Sequence, residues 1–159
     1  RKPIAPSSRP QLIGAEGGAL AGGSDKLLGG PGPDVLAGRG GNDLLWGDKD
    51  PGTAAADLLS GGLGNDTIYG GGDDDVLLGD EGDDFLQGDG GDDILVGGPG
   101  NDRLRPASGR DRVYAGPGDD VVSAQADGAR DVIDCGPGRD IAYVDRDDRV
   151  TRCEIVRFD

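Results

Sequence analysis

Thirteen aspartates recur along the chain: Asp25, Asp34, Asp43, Asp57, Asp66, Asp75, Asp84, Asp93, Asp102, Asp111, Asp120, Asp131 and Asp140. Ten of the twelve steps between them are nine residues; the steps to Asp57 and Asp131 are fourteen and eleven. Two places after each aspartate stands an apolar residue, from Leu27, Leu36 and Leu45 through Leu59, Ile68, Leu77, Leu86, Leu95, Leu104, Val113, Val122 and Ile133 to a weak Ala142. Glycines fill the segment before each aspartate. There is no His, which removes the commonest general base and the commonest zinc ligand. The chemistry left to such a row is that of carboxylate oxygens, and carboxylates stacked at ~5 Å repel unless a cation lies between them.

The repeating unit is Gly-Gly-x-Gly-x-Asp-x-hydrophobic-x. Residues 29–37 fit it in full, as do 61–69 and 97–105, while 38–46, 79–87 and 88–96 lose only the second glycine. Ten or more copies in register make the chain resemble the RTX, or haemolysin-type calcium-binding, family over residues 20 to 150. The resemblance implies a calcium ion between each two loops stacked one coil apart. The carboxylates would come from Asp34, Asp43, Asp57, Asp66, Asp75, Asp84, Asp93, Asp102, Asp111 and Asp120. Loop carbonyls around Gly61, Gly62, Gly64, Gly79, Gly82, Gly88, Gly91, Gly97, Gly98 and Gly100 would complete a shell of six to eight oxygens. Stacked pairs include Asp34 with Asp57, Asp43 with Asp66, Asp66 with Asp84, Asp75 with Asp93, Asp84 with Asp102, Asp93 with Asp111, and Asp102 with Asp120. Asp73, Asp80 and Asp89 fall outside the sixth position and read as solvated.

Fixed-period self-similarity marks a solenoid, whose units bury their apolar residue only by stacking. Six-residue glycine loops followed by three-residue strands give one coil per two repeats, about eighteen residues. Strand side chains alternate, so position eight points inward and positions seven and nine outward. Odd repeats form one parallel sheet and even repeats the other. The expected fold is all-β, a right-handed parallel β-roll (β-solenoid) of about seven two-repeat coils. Glycine permits φ > 0 in loops that curl around an ion. Asn42, Asn65, Asn101, Asp83, Asp92 and Asp119 at position five suit local Asx turns. Helix is not expected in loops so rich in glycine.

Several loops depart from the pattern. The loop before Asp57 carries five extra residues (47–56), position four before Asp75 is Asp73, Pro106-Ala107-Ser108-Gly109 lacks two glycines, and 124–130 is stretched by two. Calcium sites there are in doubt, and residues 61–105 are expected to be best occupied. Residues 1–19 carry no repeat and read as a leader or cap. Residues 20–143 form the roll, and residues 144–159 a C-terminal cap in which Ile155, Val156 and Phe158 cover the last coil. Cys135 and Cys153 lie eighteen residues apart, one coil, which suits a disulfide, with two free thiols as the alternative. One irregularity is that Asp148 follows Asp140 by eight residues, so the last rung looks slipped. Ten of the sixteen basic residues lie at or beyond Arg103; they read as partners for aspartates of degenerate loops or as a solvated face.

The net charge of −15 and pI near 4.2 disfavour nucleic acid and anionic membranes as partners, since both need basic patches. There is no apolar run long enough to span a membrane. No signal peptide is visible, and the start at Arg1-Lys2-Pro3 reads as a mature product or an excised piece. A disulfide would place the chain in an oxidising, extracellular setting. An acidic linker needs no apolar residue locked after each aspartate. An enzyme needs a nucleophile and base, and no such constellation stands outside the repeat. An ice-binding or adhesive solenoid would show a Thr ladder, whereas position three reads Pro31, Gly40, Leu63, Gly72, Glu81, Gly90 and Pro99. The reading is therefore a secreted, non-catalytic calcium-binding module for folding, secretion or interaction. Outward apolar residues form two stripes, Leu44, Trp46, Tyr69 and Phe85 on one sheet and Val35, Leu58, Val76, Leu78, Ile94 and Val96 on the other. Either could pack on a second copy, the N-terminal leader or an attached domain.

Overall fold

A computed structural model describes residues 11–14, 23–48, 55–124 and 128–158. Among these residues the secondary structure is all strand, arranged as a parallel β-solenoid of about seven turns. One sheet stacks β1 (Gln11–Gly14), β3 (Asp34–Gly40), β5 (Leu58–Leu63), β7 (Val76–Glu81), β9 (Ile94–Val96), β11 (Arg112–Tyr114), β13 (Val132–Asp134) and β15 (Arg149–Thr151). The other stacks β2 (Lys26–Leu28), β4 (Leu44–Trp46), β6 (Thr67–Gly72), β8 (Phe85–Gly90), β10 (Arg103–Ser108), β12 (Val121–Ala124), β14 (Ile141–Val144) and β16 (Ile155–Phe158). Odd and even repeats thus separate as the nine-residue period requires. The register sets like on like: Leu59 pairs with Leu77, Leu77 with Leu95, and Leu95 with Val113.

The position-eight residues make the core. Leu36, Leu45, Leu59, Ile68, Leu77, Leu86, Leu95, Val113, Val122, Ile133 and Ala142 are all fully buried. Strand alternation also turns positions six and one inward, so each coil presents an aspartate, an aliphatic residue and a position-one residue to the interior. The position-one line is glycine from Gly29 to Gly97. From there it becomes Pro106, Ala115, Ala124, Cys135 and Val144, all buried. The core is therefore a single aliphatic line in the first coils and a broader one in the last.

Several strands run longer than the three residues expected. β3 spans seven residues and β5 to β8 span six each. The reason is that positions one to three stay in ladder register, as with Gly62 opposite Asp80 and Gly71 opposite Asp89. The outer faces carry the expected stripes. Val35 and Leu58 are exposed, and Val76, Leu78, Ile94 and Val96 are half-buried. On the other sheet Trp46 and Tyr69 stack with ring centroids 5.6 Å apart, Tyr69 meets Phe85 at 5.8 Å, and the Lys26 ammonium caps Trp46.

At the amino end, β1 pairs in parallel with Asp34–Ala37 as an edge strand. The remainder of the expected leader, residues 1–10 and 15–19, lies outside the described residues. At the other end β16 pairs with β14, but Phe158 is 59% exposed and covers nothing. A strand alternates its side chains, so Val156 and Phe158 share the inward face, opposite the buried Ala142 and Val144; Val156 packs against the core, while Phe158 stays exposed because none of the described residues stacks beyond it.

Candidate metal centre

All of the sequence-predicted aspartates from Asp34 to Asp120 are buried, at 4% exposure or less. From Asp57 to Asp120 each uses one carboxylate oxygen in the same way. The amide of Asp34 donates to Oδ1 of Asp57, Asp43 to Asp66, Asp57 to Asp75, Asp66 to Asp84, Asp75 to Asp93, Asp84 to Asp102, Asp93 to Asp111 and Asp102 to Asp120. All eight bonds measure 2.7–2.8 Å. One oxygen of each carboxylate thus locks two coils together.

The second oxygen differs. In Asp43, Asp57, Asp66, Asp75, Asp84, Asp93, Asp102 and Asp120, Oδ2 is buried and has no hydrogen-bond partner. A buried, uncompensated carboxylate oxygen costs several kcal/mol or takes up a proton or a cation. Burial pushes these groups up from the ordinary 3.8: Asp75 to about 8, Asp102 to about 7, and Asp57, Asp66, Asp84, Asp93 and Asp120 to about 6. The accepted amide opposes that rise, and neighbouring carboxylates, such as Asp93 and Asp57 on Asp75, add to it.

The glycines explain how these oxygens fit. A Cβ on Gly70 would stand 2.5 Å from Oδ2 of Asp75 and 2.8 Å from the carbonyl oxygen of Gly88. Gly61, Gly79, Gly88 and Gly97 are hemmed in the same way by the aspartate five places on. Along residues 61–97 the carboxylate occupies the space a position-one side chain would need, whereas in the later coils Pro106, Ala115, Ala124, Cys135 and Val144 stand at that position. Positions two and four carry positive φ, as at Gly62 (110°), Gly98 (108°), Gly64 (115°), Gly82 (138°), Gly91 (138°) and Gly100 (149°). There the chain turns so that the carbonyl of Gly64 faces the Cα of Gly82, and that of Gly82 faces Gly100. Buried carboxylate oxygens and inward loop carbonyls form a hard-oxygen donor set, which suits Ca²⁺ and not a soft metal. Among the described residues no three His, Cys, Asp or Glu side chains converge, so backbone oxygens must supply most ligands of any cation held here.

Where the repeat departs from glycine, the backbone keeps its shape. Arg39 (78°), Asp73 (75°), Asp80 (72°), Asp89 (74°) and Ala107 (76°) adopt positive φ in place of glycine. Asp80 and Asp89 are also engaged, accepting from Ser60 at 2.6 Å and from Gln87 at 2.5 Å. In the long loop, Asp48 is buried and accepts the Ala55 amide at 2.9 Å; residues 49–54 and 125–127 lie outside the described residues. The position-five residues do not close local Asx turns. Their side-chain oxygens reach the next coil, as Asn65 accepts from the Asp83 amide at 3.1 Å and Asp83 from the Asn101 amide at 2.8 Å. Stacking at one coil places that amide nearer than any local donor.

Two acceptors escaped the period. Asp148 takes the Asp131 amide at 3.0 Å, so the slipped rung is in register after all; Val150 sits opposite Ile133. Glu154 takes the Asp140 amide at 2.8 Å, filling the sixth position only fourteen residues on. No loop separates Cys153 from Glu154, and the Glu154 carboxylate still meets the Asp140 amide. Of the arginines, Arg152 clamps Asp134 with two bonds of 2.6 and 2.5 Å, which holds that carboxylate below its usual range.

The fold and this donor set define a parallel β-solenoid with calcium-type loops. Four copies of the RTX calcium-binding nonapeptide repeat match residues 21–50, 51–86, 71–104 and 107–128. The chain belongs to that family, and Ca²⁺ binding follows from the membership. No curated relative matches the chain.

Proposed function

We propose that the chain is a secreted, non-catalytic β-roll module that folds on binding several Ca²⁺ ions between its stacked loops. The observation that carries this reading is the set of buried Oδ2 atoms without hydrogen-bond partners in Asp43, Asp57, Asp66, Asp75, Asp84, Asp93, Asp102 and Asp120. Asp34, Asp43, Asp57, Asp66, Asp75, Asp84, Asp93, Asp102, Asp111 and Asp120 would supply carboxylate oxygens. Carbonyls around Gly61, Gly62, Gly64, Gly79, Gly82, Gly88, Gly91, Gly97, Gly98 and Gly100 would supply the rest. With Ca²⁺ bound, the cation neutralises the row, and binding free energy becomes folding free energy. Low calcium inside a cell would keep the chain unfolded and exportable; higher calcium outside would fold it.

The disulfide between Cys135 and Cys153 agrees with an oxidising compartment. Residues 1–19 would serve as leader or cap and 144–159 as the closing segment of a roll over 20–143. The stripe of Val35, Leu58, Val76, Leu78, Ile94 and Val96 would be the seat of an attached domain or a second copy, because large exposed apolar patches mark interfaces. Titration calorimetry of the calcium-stripped chain tests the reading. Several Ca²⁺ per chain are expected, with Mg²⁺ a weak competitor because it demands a tighter octahedral shell. A chain that takes up no Ca²⁺ would overturn it.

A further inference from the structure

The last coil differs from those before it at every position that would hold an ion. On one edge the loop after Val144 is one residue short. Asp148 turns its Oδ2 onto the amide of Asp145 at 2.8 Å while its Oδ1 serves Asp131. Both carboxylate oxygens are thereby hydrogen-bonded within the protein, unlike those of Asp57, Asp75 and Asp93 on the same edge. On the other edge Cys153, at position two, stands directly before Glu154 at position six, so the residues that would form loop positions three to five are gone. Two side-chain links stand in their place. Cys135, at position one, and Cys153, at position two of the next coil, form a disulfide with Cα atoms 5.2 Å apart. Asp134 and Arg152, one residue earlier on each coil, form the bidentate ion pair. Cys135, Ala124, Ala115 and Val144 also widen the apolar interior at this end.

We infer that residues 131–158 form a clasp that closes the roll without calcium, and that its disulfide makes the calcium response of the remaining coils sensitive to redox state. The inference rests on the calcium reading for its second part only. Each coil stacks on its neighbour, so a coil held in place independently of calcium lowers the ordering cost of the next one. The half-buried Cys153 sulfur is the point of attack. A dithiol displaces the Cys135 thiolate from it, forms a mixed disulfide, and then closes to its own disulfide, so that two electrons and two protons pass to the cysteines.

The test uses the full chain, oxidised or reduced by a dithiol, alongside a Cys135→Ser plus Cys153→Ser variant. Amide hydrogen exchange in calcium-stripped buffer should show protection confined to 131–158 in the oxidised chain. That protection should fall on reduction and in the variant. No protected amides there in the oxidised, calcium-free chain would overturn the clasp, whatever calcium does elsewhere. Calcium titration should then show a midpoint about fivefold or more higher for the reduced chain and the variant. Equal midpoints with intact calcium binding would overturn the redox coupling, whereas absence of calcium binding in every form would instead remove the underlying calcium reading. Arg152→Gln should leave the disulfide in place and still weaken protection at 149–158; unchanged protection would assign the clasp to the disulfide alone and overturn the part given to the ion pair.

Discussion

The amide of Asp66 donates to Oδ1 of Asp84 at 2.8 Å, and one residue away the amide of Asp83 donates back to Oδ1 of Asn65 at 3.1 Å. Adjacent coils therefore exchange bonds in both directions through positions five and six. On the proposed reading the aspartate does two jobs at once: Oδ1 fastens the coil before it, and Oδ2, buried without a hydrogen-bond partner, would meet a cation.

Those two jobs can be separated at Asp84. Asp84→Asn keeps an oxygen that can accept the Asp66 amide and loses the charge. Asp84→Ala loses both. Both variants should bind calcium less tightly than the parent, by about tenfold at the affected sites, since a charged ligand is removed. The alanine variant should also lose thermal stability in saturating calcium, by about 1–3 kcal/mol more than the asparagine variant, because it leaves a buried amide unpaired. Calorimetric titration and thermal melts read the two effects. Equal behaviour of the two variants would contradict the division of labour. Asp148→Ala, whose oxygens are both spent on amides, should lower stability and leave the calcium stoichiometry unchanged.

Gly79 tests the steric part of the site. A Cβ there would run into the Asp84 carboxylate and stand 2.5 Å from the Gly97 carbonyl oxygen. Gly23 has nothing within 4 Å of the same atom. Gly79→Ala should therefore weaken calcium binding and drop the melting temperature in calcium, whereas Gly23→Ala should do neither. Equal effects would mean that position-one glycine is present for reasons other than the carboxylate.

Acid should partly replace calcium. Burial holds Asp75 at about 8 and Asp102 at about 7 in the fold, against 3.8 in an unfolded chain. The folded form therefore binds protons more tightly than the unfolded form. The proton-linked stability is fully present below about pH 4 and is lost as pH rises through 6 to 8. Calcium-stripped chain should show β-type circular dichroism near pH 4.5 and lose it by pH 8. Calcium binding near pH 6 should release protons, which calorimetry in buffers of different ionisation enthalpy detects. A calcium-free spectrum independent of pH over this range would contradict the burial of the row.

The outer aliphatic stripe gives a further check. If it seats a second copy, Val76→Lys plus Ile94→Lys should convert a calcium-loaded dimer to monomer in sedimentation. A parent chain that is monomeric at all concentrations would leave the stripe to the N-terminal leader or an attached domain.

The strict period made most of the fold legible. Alternation from a fixed aspartate sends Leu77 inward and Val76 and Leu78 outward with no further information. The stacking of Asp66 on Asp84 follows from the same count. What the period hid lies where it breaks. Glu154 sits fourteen residues after Asp140 and is not an aspartate, so only the deletion of its loop reveals its role. Asp148 looked slipped because a loop one residue shorter can still reach the same rung. The position-one change from Gly97 to Pro106 and Ala115 was visible as degeneracy, but its effect on the interior needs the alternation carried one residue past the hydrophobic position. Phe158 was expected to cover the last coil; it stands on the inward face opposite Val144, yet stays exposed because none of the described residues stacks beyond it.

The central claim is that calcium folds this chain. Far-UV circular dichroism and small-angle scattering at pH 7.5, in chelator and then in millimolar Ca²⁺, test it most directly. The expected result is an expanded, largely disordered chain in chelator, apart from residues near the disulfide, that becomes compact and β-rich on calcium addition and reverts when calcium is withdrawn. A chain already compact and β-rich in chelator, with no change on adding calcium, would contradict it.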